Sequence, residues 1–449
     1  MFLKTRRILT AAITIIIGFS LTVPSGCKLA KDEESSRTSS PDEAQFRKMQ
    51  TDYYLNSDGS AALTGLESDK GQSTLEIPET IDGHTVTKLD FSSQYFHYNI
   101  KEIIVPETVT SMGEMAFEPF SELKKVEFRG TGIKEIGKNT FFNCGELTEI
   151  KLPLGITAIG DNAFYGCKNL TGITIPDGVT EIGERAFRET GLKQITIPEG
   201  VTKIQDETFS RSSLTQIVIP STVTSIGEGA FMSCNKLESV SIPDSVTDIG
   251  SEAFYRCSSL KNVSLPKNLT SVSPYLFCDC TSLKSVSVPD KVTSIGNNAF
   301  NNTKLKTVEL SDNVTSVGAE AFARCDKLTS VTVSDSVTDI GSGAFKSCYV
   351  LKNAVLPKSI NSVSSELFMN CMSLKSISIP ENVRKIEKSA FCFSGLKTVY
   401  LPDNVSVVGM KAFASCKSLT EASVSESTQI ADDAFDAGVK ITTRTERGL

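Results

Sequence analysis

The chain has 449 residues, 39% of them hydrophobic and 22% charged, and its formal net charge is −7 at neutral pH. Compact domains usually hold about 100–200 residues, so this length indicates several domains or a repeat array in which each unit packs only on its neighbours. The apolar fraction argues against a disordered chain. The negative charge argues against nucleic acid as a partner, because its phosphates would be repelled.

Residues 1–26 are typical of an export signal. Three cations precede an apolar run from Ile8 to Val23. This run is shorter than the roughly 20 residues that a membrane-spanning helix needs, so it is interpreted as the hydrophobic part of a secretory signal. The protein is therefore expected to leave the cytoplasm.

The signal ends in the sequence VPSGC (23–27), which resembles a bacterial lipobox. In such a motif the cysteine after a small residue becomes lipid-modified, so the resemblance predicts lipid attachment at Cys27. Pro24 departs from the leucine that is usual three positions before the cysteine. Ordinary cleavage near Ser25 and Gly26, which would release a soluble secreted protein, therefore stays open as the alternative.

The polar, charged segment 27–45 lacks the bulky apolar residues that an ordered chain buries, and it predicts a flexible tether. Residues 46–112 are interpreted as an N-terminal cap followed by the first irregular coils. Both histidines, His84 and His97, lie in this region. They are expected to be cap or surface residues rather than catalytic bases.

From residue 113 to residue 441 the chain repeats itself. A phenylalanine recurs after 24 residues at first and then every 22 or 23, at positions 117, 141, 164, 187, 209, 231, 254, 277, 300, 322, 345, 368, 391, 413 and 435. Periods of 20–50 residues are typical of solenoids. The last residues, 442–449, are interpreted as a C-terminal tail.

One repeat unit, residues 237–254, shows the expected local structure. Leu237, Val240 and Ile242 have the spacing of a short strand, which Pro243 ends because it cannot donate a ladder hydrogen bond. A second short extended piece follows, and Gly250 is expected to allow a sharp bend after it. One such coil cannot fold alone, whereas stacked coils share hydrogen bonds and a continuous core.

Nine of the twelve cysteines occupy one position of the repeat, three residues after the phenylalanine: 144, 167, 234, 257, 280, 325, 348, 371 and 416. A catalytic cysteine occurs once beside a base, and a zinc site needs four converging ligands. A side chain that recurs in every coil instead forms a column, and cysteine is small and often buried. We predict free, buried, packing cysteines in a space that exists only in the longer turns. Disulfides between neighbouring coils are the alternative.

The unit L-x-x-V-x-I-P-x-x-V-T-x-I-G-x-x-A-F-x-x-C resembles the repeat of BspA-like, or Treponema pallidum-type, leucine-rich repeat proteins over about residues 75–441. The opening sequence YYLNSDGSAALTGL (53–66) is similar to the hairpin-like cap of such arrays. The resemblance implies a mainly β fold: a right-handed solenoid of about 16 coils of 22–23 residues, with short parallel strands and an N-terminal cap. It also implies a bacterial cell-surface or secreted interaction scaffold or adhesin, whose partner is a protein such as a host or matrix protein.

The strand L-x-x-V-x-I presents a small, hydroxyl-rich outer face, with pairs such as Ser239 and Ser241. A broken row of lysines follows the leucine, and Tyr400 is the main aromatic residue nearby. The candidate binding face comprises Lys193, Lys261, Lys284, Lys306, Lys352, Lys375, Lys397 and Tyr400. An acidic or sulfated partner could follow the row, but a purely solubilising role stays open.

Catalysis is not expected, because the sequence has no phosphate loop, nucleophile elbow or calcium loop. No cofactor and no metal site are predicted. With no other anchor evident after the array, the lipid on Cys27 is expected to hold the protein at the bacterial envelope. A glycan-binding or enzyme-associated surface scaffold is the alternative function.

Overall fold

A computed structural model describes residues 51–66, 71–91 and 99–445. The predicted signal, the tether and Cys27 lie outside these residues, as does His97. The described chain from Thr51 onward is a parallel β-solenoid of about 16 turns, which confirms the predicted fold class.

The array opens on a hairpin. Strands β1 (Thr51–Leu55) and β2 (Ala61–Leu66) pair antiparallel, which confirms the predicted hairpin at the start of the array. A second, tighter hairpin joins β4 (Thr80–Ile81) to β5 (His84–Leu89). Its turn residues Asp82 and Gly83 have φ of 50° and 85°, a conformation that suits this pair of residue types. β2 also pairs in parallel with β5, so backbone hydrogen bonds continue from the first hairpin into the strands stacked on it.

The L-x-x-V-x-I segments form the first of two parallel ladders, here called the long-strand ladder. Its strands are β3 (Thr74–Glu76), β6 (Glu102–Val105), β8 (Lys125–Phe128), β10 (Glu149–Lys151), β14 (Gln216–Val218), β16 (Ser239–Ser241), β18 (Asn262–Ser264), β20 (Ser285–Ser287), β22 (Thr307–Glu309), β24 (Ser330–Thr332), β26 (Asn353–Val355), β29 (Thr398–Tyr400), β31 (Glu421–Ser425) and β33 (Lys440–Arg444). Each pairs with the strand one coil away at the same repeat position, as in Ile217 opposite Val240. β33 runs three residues into the segment interpreted as a tail.

The V-T-x-I segments form the second, short-strand ladder. Its strands are β7 (Ser111–Met112), β9 (Glu135–Ile136), β11 (Ala158–Ile159), β12 (Glu181–Ile182), β13 (Lys203–Ile204), β15 (Ser225–Ile226), β17 (Asp248–Ile249), β19 (Ser271–Val272), β21 (Ser294–Ile295), β23 (Ser316–Val317), β25 (Asp339–Ile340), β27 (Ser362–Val363), β28 (Lys385–Ile386), β30 (Val407–Val408) and β32 (Gln429–Ile430). These short strands confirm the prediction that each coil contains a second extended segment.

The repeat phenylalanines stack on one another through the core. From Phe117 to Phe435 each ring lies 4.7–5.7 Å, centroid to centroid, from the ring one coil on, with interplanar angles of 1–17°. Near-parallel rings at these distances are offset, which is the arrangement that the aromatic quadrupole favours. Neighbouring parallel strands lie about 4.8 Å apart, which is close to these ring distances, so the same ring contact recurs from coil to coil.

The turn around each phenylalanine is held by hydrogen bonds between coils. In the coil of Phe254, the backbone N–H groups of Glu252, Phe254 and Arg256 donate to carbonyls one coil on, at 2.9–3.1 Å. Glu252 and Arg256 have φ of 60° and 59°, in the left-handed region. This conformation costs about 1–2 kcal/mol for a residue with a side chain, and the hydrogen bonds offset that cost.

Gly250 does not act as predicted, because its φ is not positive. A Cβ atom on Gly250 would lie 2.5 Å from the backbone nitrogen of Glu228 and 2.7 Å from the carbonyl carbon of Gly227, both in the preceding coil. Glycine is needed here because two backbones approach closely, and not because of a backbone conformation that other residues avoid.

The eleven cysteines in the described region are free and buried, as predicted, so the disulfide alternative is not adopted there. The nine repeat thiols each lie 3.1–3.3 Å from the carbonyl oxygen of the phenylalanine in the preceding coil. In the short turns, the position three residues after the phenylalanine is occupied by Thr190, Ser212, Thr303 and Ser394, all of which are buried. The prediction that the space filled by the cysteine exists only in the longer turns is therefore wrong. The column therefore consists of small hydrogen-bonding residues.

Candidate binding face

The outer side of the long-strand ladder, here called the long-strand face, collects the side chains predicted to bind. In strand β16 the exposed residues Ser239 and Ser241 flank the buried Val240, and the same alternation recurs in β10, β14, β18 and β29. Side chains of a strand point alternately to its two faces, so the hydroxyl-rich positions lie together on one surface.

The seven predicted lysines are all exposed at the edge of this face. Within the ladder the N–H of Lys284 donates to the carbonyl oxygen of Lys261 at 2.9 Å, and the N–H of Thr329 to that of Lys306 at 2.9 Å. Lysines of successive coils are therefore neighbours at about the strand spacing. Lys193 stands apart, and Thr329 divides the other six into two groups of three, at 261, 284 and 306 and at 352, 375 and 397.

Lys261 differs from the other six lysines. Its Nζ lies 2.7 Å from a carboxylate oxygen of Glu238 in the preceding coil. The hydrogen bond from Lys261 lowers the pKa of the Glu238 carboxyl. Within the described ranges, Lys261 is the one of the seven that has an ion pair within 4 Å, so the other six ammonium groups are the ones free to meet a partner's charge.

Open hollows of about 430–640 Å³ lie on the long-strand face. One of them, of about 640 Å³, spans the interval between β10 and β14, where the segments around Gly172 and Gln194 belong to no long strand of the structure. A Cβ atom on Gly172 would meet nothing within 4 Å, which shows how open this hollow is.

Two further hollows, of about 450 and 570 Å³, span the interval between β26 and β29. They share Val355 and Ser378 in their lining, so they form one continuous groove. Tyr400 forms its C-terminal wall and is 56% exposed, and Val355 is also 56% exposed. The predicted face residue Tyr400 thus lies with Lys352 at one hollow, whereas the other predicted lysines follow the edge of the face.

The Tyr400 ring is held from one side by Arg444. The guanidinium carbon lies 4.0 Å from the ring centroid. The guanidinium donates hydrogen bonds to the Ser423 hydroxyl, the Leu401 carbonyl and the Asp403 carboxylate, at 2.5, 2.5 and 2.7 Å. The guanidinium is therefore held over one face of the ring.

Sequence reasoning missed the hollows, and turn length gives only a partial signal for the breaks in the long-strand ladder. The ladder restarts at β14, β22 and β29. Each of these strands follows a turn in which the leucine comes five residues after the phenylalanine instead of six, as at Phe300–Leu305 against Phe254–Leu260. The segments 171–175 and 375–379 also belong to no long strand, although they follow six-residue turns, Phe164–Leu170 and Phe368–Leu374. We therefore infer the shorter turn as the cause only of the break between β20 and β22.

The described residues contain no helix that is long and apolar enough to cross a membrane. Among them, no group of three or more His, Cys, Asp or Glu side chains is placed to hold a metal ion.

A family model for the BspA type leucine rich repeat region, with six copies of the repeat, matches residues 90–215, 202–329 and 315–442. The chain belongs to the BspA-type leucine-rich repeat family. This family is a non-enzymatic scaffold of the surface type, and its fold is a general scaffold for protein interaction. No curated protein sequence matches this BspA-type chain.

Solved structures resemble the BspA-type array. A leucine-rich repeat protein from Bacteroides ovatus has a TM-score of 0.60 at 24% identity, over 89% of this chain and 100% of that one. A leucine rich cell surface protein from Faecalibacterium prausnitzii has a TM-score of 0.44 at 23% identity, over 90% and 97% of the two chains. A leucine-rich repeat protein from Eubacterium ventriosum has 0.48 at 22%, over 81% and 92%. The first of these supports the fold.

Proposed function

We propose that this protein is displayed at a bacterial envelope by lipid on Cys27, and that its long-strand face binds a protein partner, such as a host or matrix protein. The observation that carries the proposal is that exposed lysines and hollows recur along this face. Exposed lysines follow its edge from Lys193 to Lys397, and hollows recur along it. A long repetitive surface suits an extended partner that makes many weak contacts.

The charge of the exposed lysines determines which partners the long-strand face attracts. Lys193, Lys284, Lys306, Lys352, Lys375 and Lys397 are exposed cations on a chain of net charge −7, so an acidic partner would be attracted locally to their edge of the array. Exposed charges are screened over about 8–10 Å at physiological salt. Binding through the row should therefore weaken steeply as salt rises.

The binding test uses immobilised fibronectin, laminin and fibrinogen as probes in surface plasmon resonance. The variant K284Q/K306Q removes two exposed lysines without an ion pair in the described structure, and it leaves the Lys261–Glu238 pair intact. The matched control K203Q/K385Q removes two exposed lysines from the short-strand ladder. A salt-sensitive signal that the first variant lowers and the control keeps would support the proposal. An equal response from both would assign the row a solubilising role.

The anchor needs a separate test, because Cys27 lies outside the described residues. One acyl chain holds a membrane only marginally, whereas two give stable attachment, and a lipid-modified bacterial cysteine carries at least two. Wild type and Cys27→Ser are compared by detergent partitioning and cell fractionation. Wild type is expected in the detergent phase and the variant in the aqueous phase. If both are aqueous, the protein is secreted without this anchor.

A further inference from the structure

We infer that the groove between β26 and β29 is a carbohydrate-binding site, in which the free face of Tyr400 stacks on a neutral sugar ring. The position of Tyr400 in its strand is the first argument. In the coils before and after, that position holds Ser378 and Ser423. A large flat ring between two small residues, 56% exposed, is not needed for packing.

The two faces of the ring have different surroundings. Arg444 comes from β33, two strands along the ladder on the C-terminal side, and lies over one face. The groove residues come from the coils on the N-terminal side, and Tyr400 lines the groove with them. The ring therefore stands between a cation and an open hollow, and its second face is available to a ligand.

The charge distribution and the flat shape of the Tyr400 ring limit the class of ligand that can stack on it. The face of an aromatic ring is negative, so it attracts the weakly positive C–H groups on one side of a sugar ring and repels an anion. A lysine or arginine from a protein partner would meet the charge of Arg444 across the ring. The ligand ring is therefore neutral.

The rest of the groove supplies hydrogen-bonding groups. Asn353, Ser376 and Glu381 line it, and all three are exposed. An amide, a hydroxyl and a carboxylate can together donate to and accept from the hydroxyls of a sugar. Lys352 at the rim adds a further donor.

The size of the groove fits more than one sugar ring. The hollow beside Tyr400 has a volume of about 570 Å³, within the roughly 300–1,000 Å³ that is usual for ligand sites. The hollow joined to it adds about 450 Å³ across Val355 and Ser378. An oligosaccharide of two or three units could thus lie along the groove.

The test uses the full-length protein and four probes: maltotriose, cellotriose, mannotriose and N,N′,N″-triacetylchitotriose. Binding is measured by calorimetry on wild type, Tyr400→Ser and Tyr400→Phe. Serine is the residue at this position in the neighbouring coils, so Tyr400→Ser should fold. Tyr349→Ser, which removes a tyrosine of similar exposure (44%) outside the long-strand face, is the control. At least one sugar should bind wild type, Tyr400→Phe and the control alike, and Tyr400→Ser at least tenfold more weakly.

A second measurement does not depend on the variants folding. In saturation-transfer NMR on wild type, irradiation of the aromatic protons should saturate the C–H protons of one sugar face. The inference is overturned if no probe binds at millimolar concentration, or if Tyr400→Ser binds as wild type does. The variant K284Q/K306Q should keep sugar binding, so failure of the protein-binding proposal and failure of this one are distinguishable.

Discussion

The Sγ of Cys257 lies 3.2 Å from the carbonyl oxygen of Phe231 in the preceding coil. That carbonyl also accepts the N–H of Cys234 at 3.1 Å, so the thiol supplies its second hydrogen bond. Phe231 and Cys257 are both fully buried, and water cannot replace either partner. The repeat cysteine therefore connects successive coils as well as filling space.

This relationship predicts different effects for two substitutions at Cys257. Cys257→Ala leaves the second acceptor site of the Phe231 carbonyl without a donor, and it should cost about 1–2 kcal/mol of unfolding free energy. Cys257→Ser keeps a small side chain with a hydroxyl donor, and it should cost less. Urea unfolding of both variants checks the order. An alanine variant as stable as the serine variant would show that the thiol only packs.

The buried thiols also predict a loss of stability at alkaline pH. Burial raises the pKa values of Cys234 and Cys325 to about 11. In the unfolded chain a cysteine ionises near its ordinary pKa, about 8.5, so above that pH the unfolded state loses protons that the folded state keeps. Stability is complete below that pH and falls by about 1.4 kcal/mol per pH unit for each thiol up to about pH 11.

The double variant C234S/C325S isolates this effect from the titration of lysines and tyrosines. Unfolding free energies of wild type and variant are measured between pH 7 and 10.5. The difference between them should be constant below about pH 8 and should then shift in favour of the variant as pH rises. A difference independent of pH would mean that these thiols are not shielded from solvent.

Phe254→Ala should destabilise the array by about 3–5 kcal/mol, as is usual for a buried aromatic side chain. The ring of Phe254 is fully buried, and its centroid lies 5.2 Å from that of Phe231 and 5.5 Å from that of Phe277. Phe393→Ala is the control, because that ring is 43% exposed, and it should cost less than about 1 kcal/mol. Hydrogen exchange should rise chiefly in the coils beside Phe254, since contacts in a solenoid are local. Equal losses from the two variants would contradict this assignment of the core.

Gly250→Ala should cost about 1–3 kcal/mol, because its new Cβ would lie 2.5 Å from the backbone nitrogen of Glu228 and one of the two coils must move. Gly172→Ala is the matched control: its Cβ would meet nothing within 4 Å, and its φ is not left-handed. That variant should change stability by less than about 0.5 kcal/mol. Thermal melting of the two proteins decides whether close approach of coils is the reason for the repeat glycine.

Much of the fold was predictable because the core pattern recurs in register. Leu237, Val240 and Phe254 lie where the period places them, and the period alone predicts a solenoid. The left-handed residues Glu252 and Arg256 could not be predicted, since neither residue type favours that conformation and the hydrogen bonds that hold them come from the next coil.

The candidate site was predictable only in part. The lysine row lies just before each long strand, where the position after the buried leucine is exposed as predicted, but strand alternation alone would not give this exposure. The contact of Tyr400 with Arg444 joins residues 44 positions apart in sequence, in strands that become neighbours only through the stacking order of the coils. The groove depends in addition on where the long-strand ladder breaks, which a pattern of apolar residues does not report.

The last prediction concerns those breaks. If a short turn causes the break before β22, then one serine inserted after Thr303 should restore the six-residue step from Phe300 to Leu305 and let β22 pair with β20. The backbone amides of 307–309 should then exchange with solvent more slowly, as measured by hydrogen–deuterium exchange. The same insertion after Ser258, in a turn that already has six residues, should disturb an intact ladder and speed exchange at 262–264. If both insertions speed exchange equally, turn length does not set the break before β22.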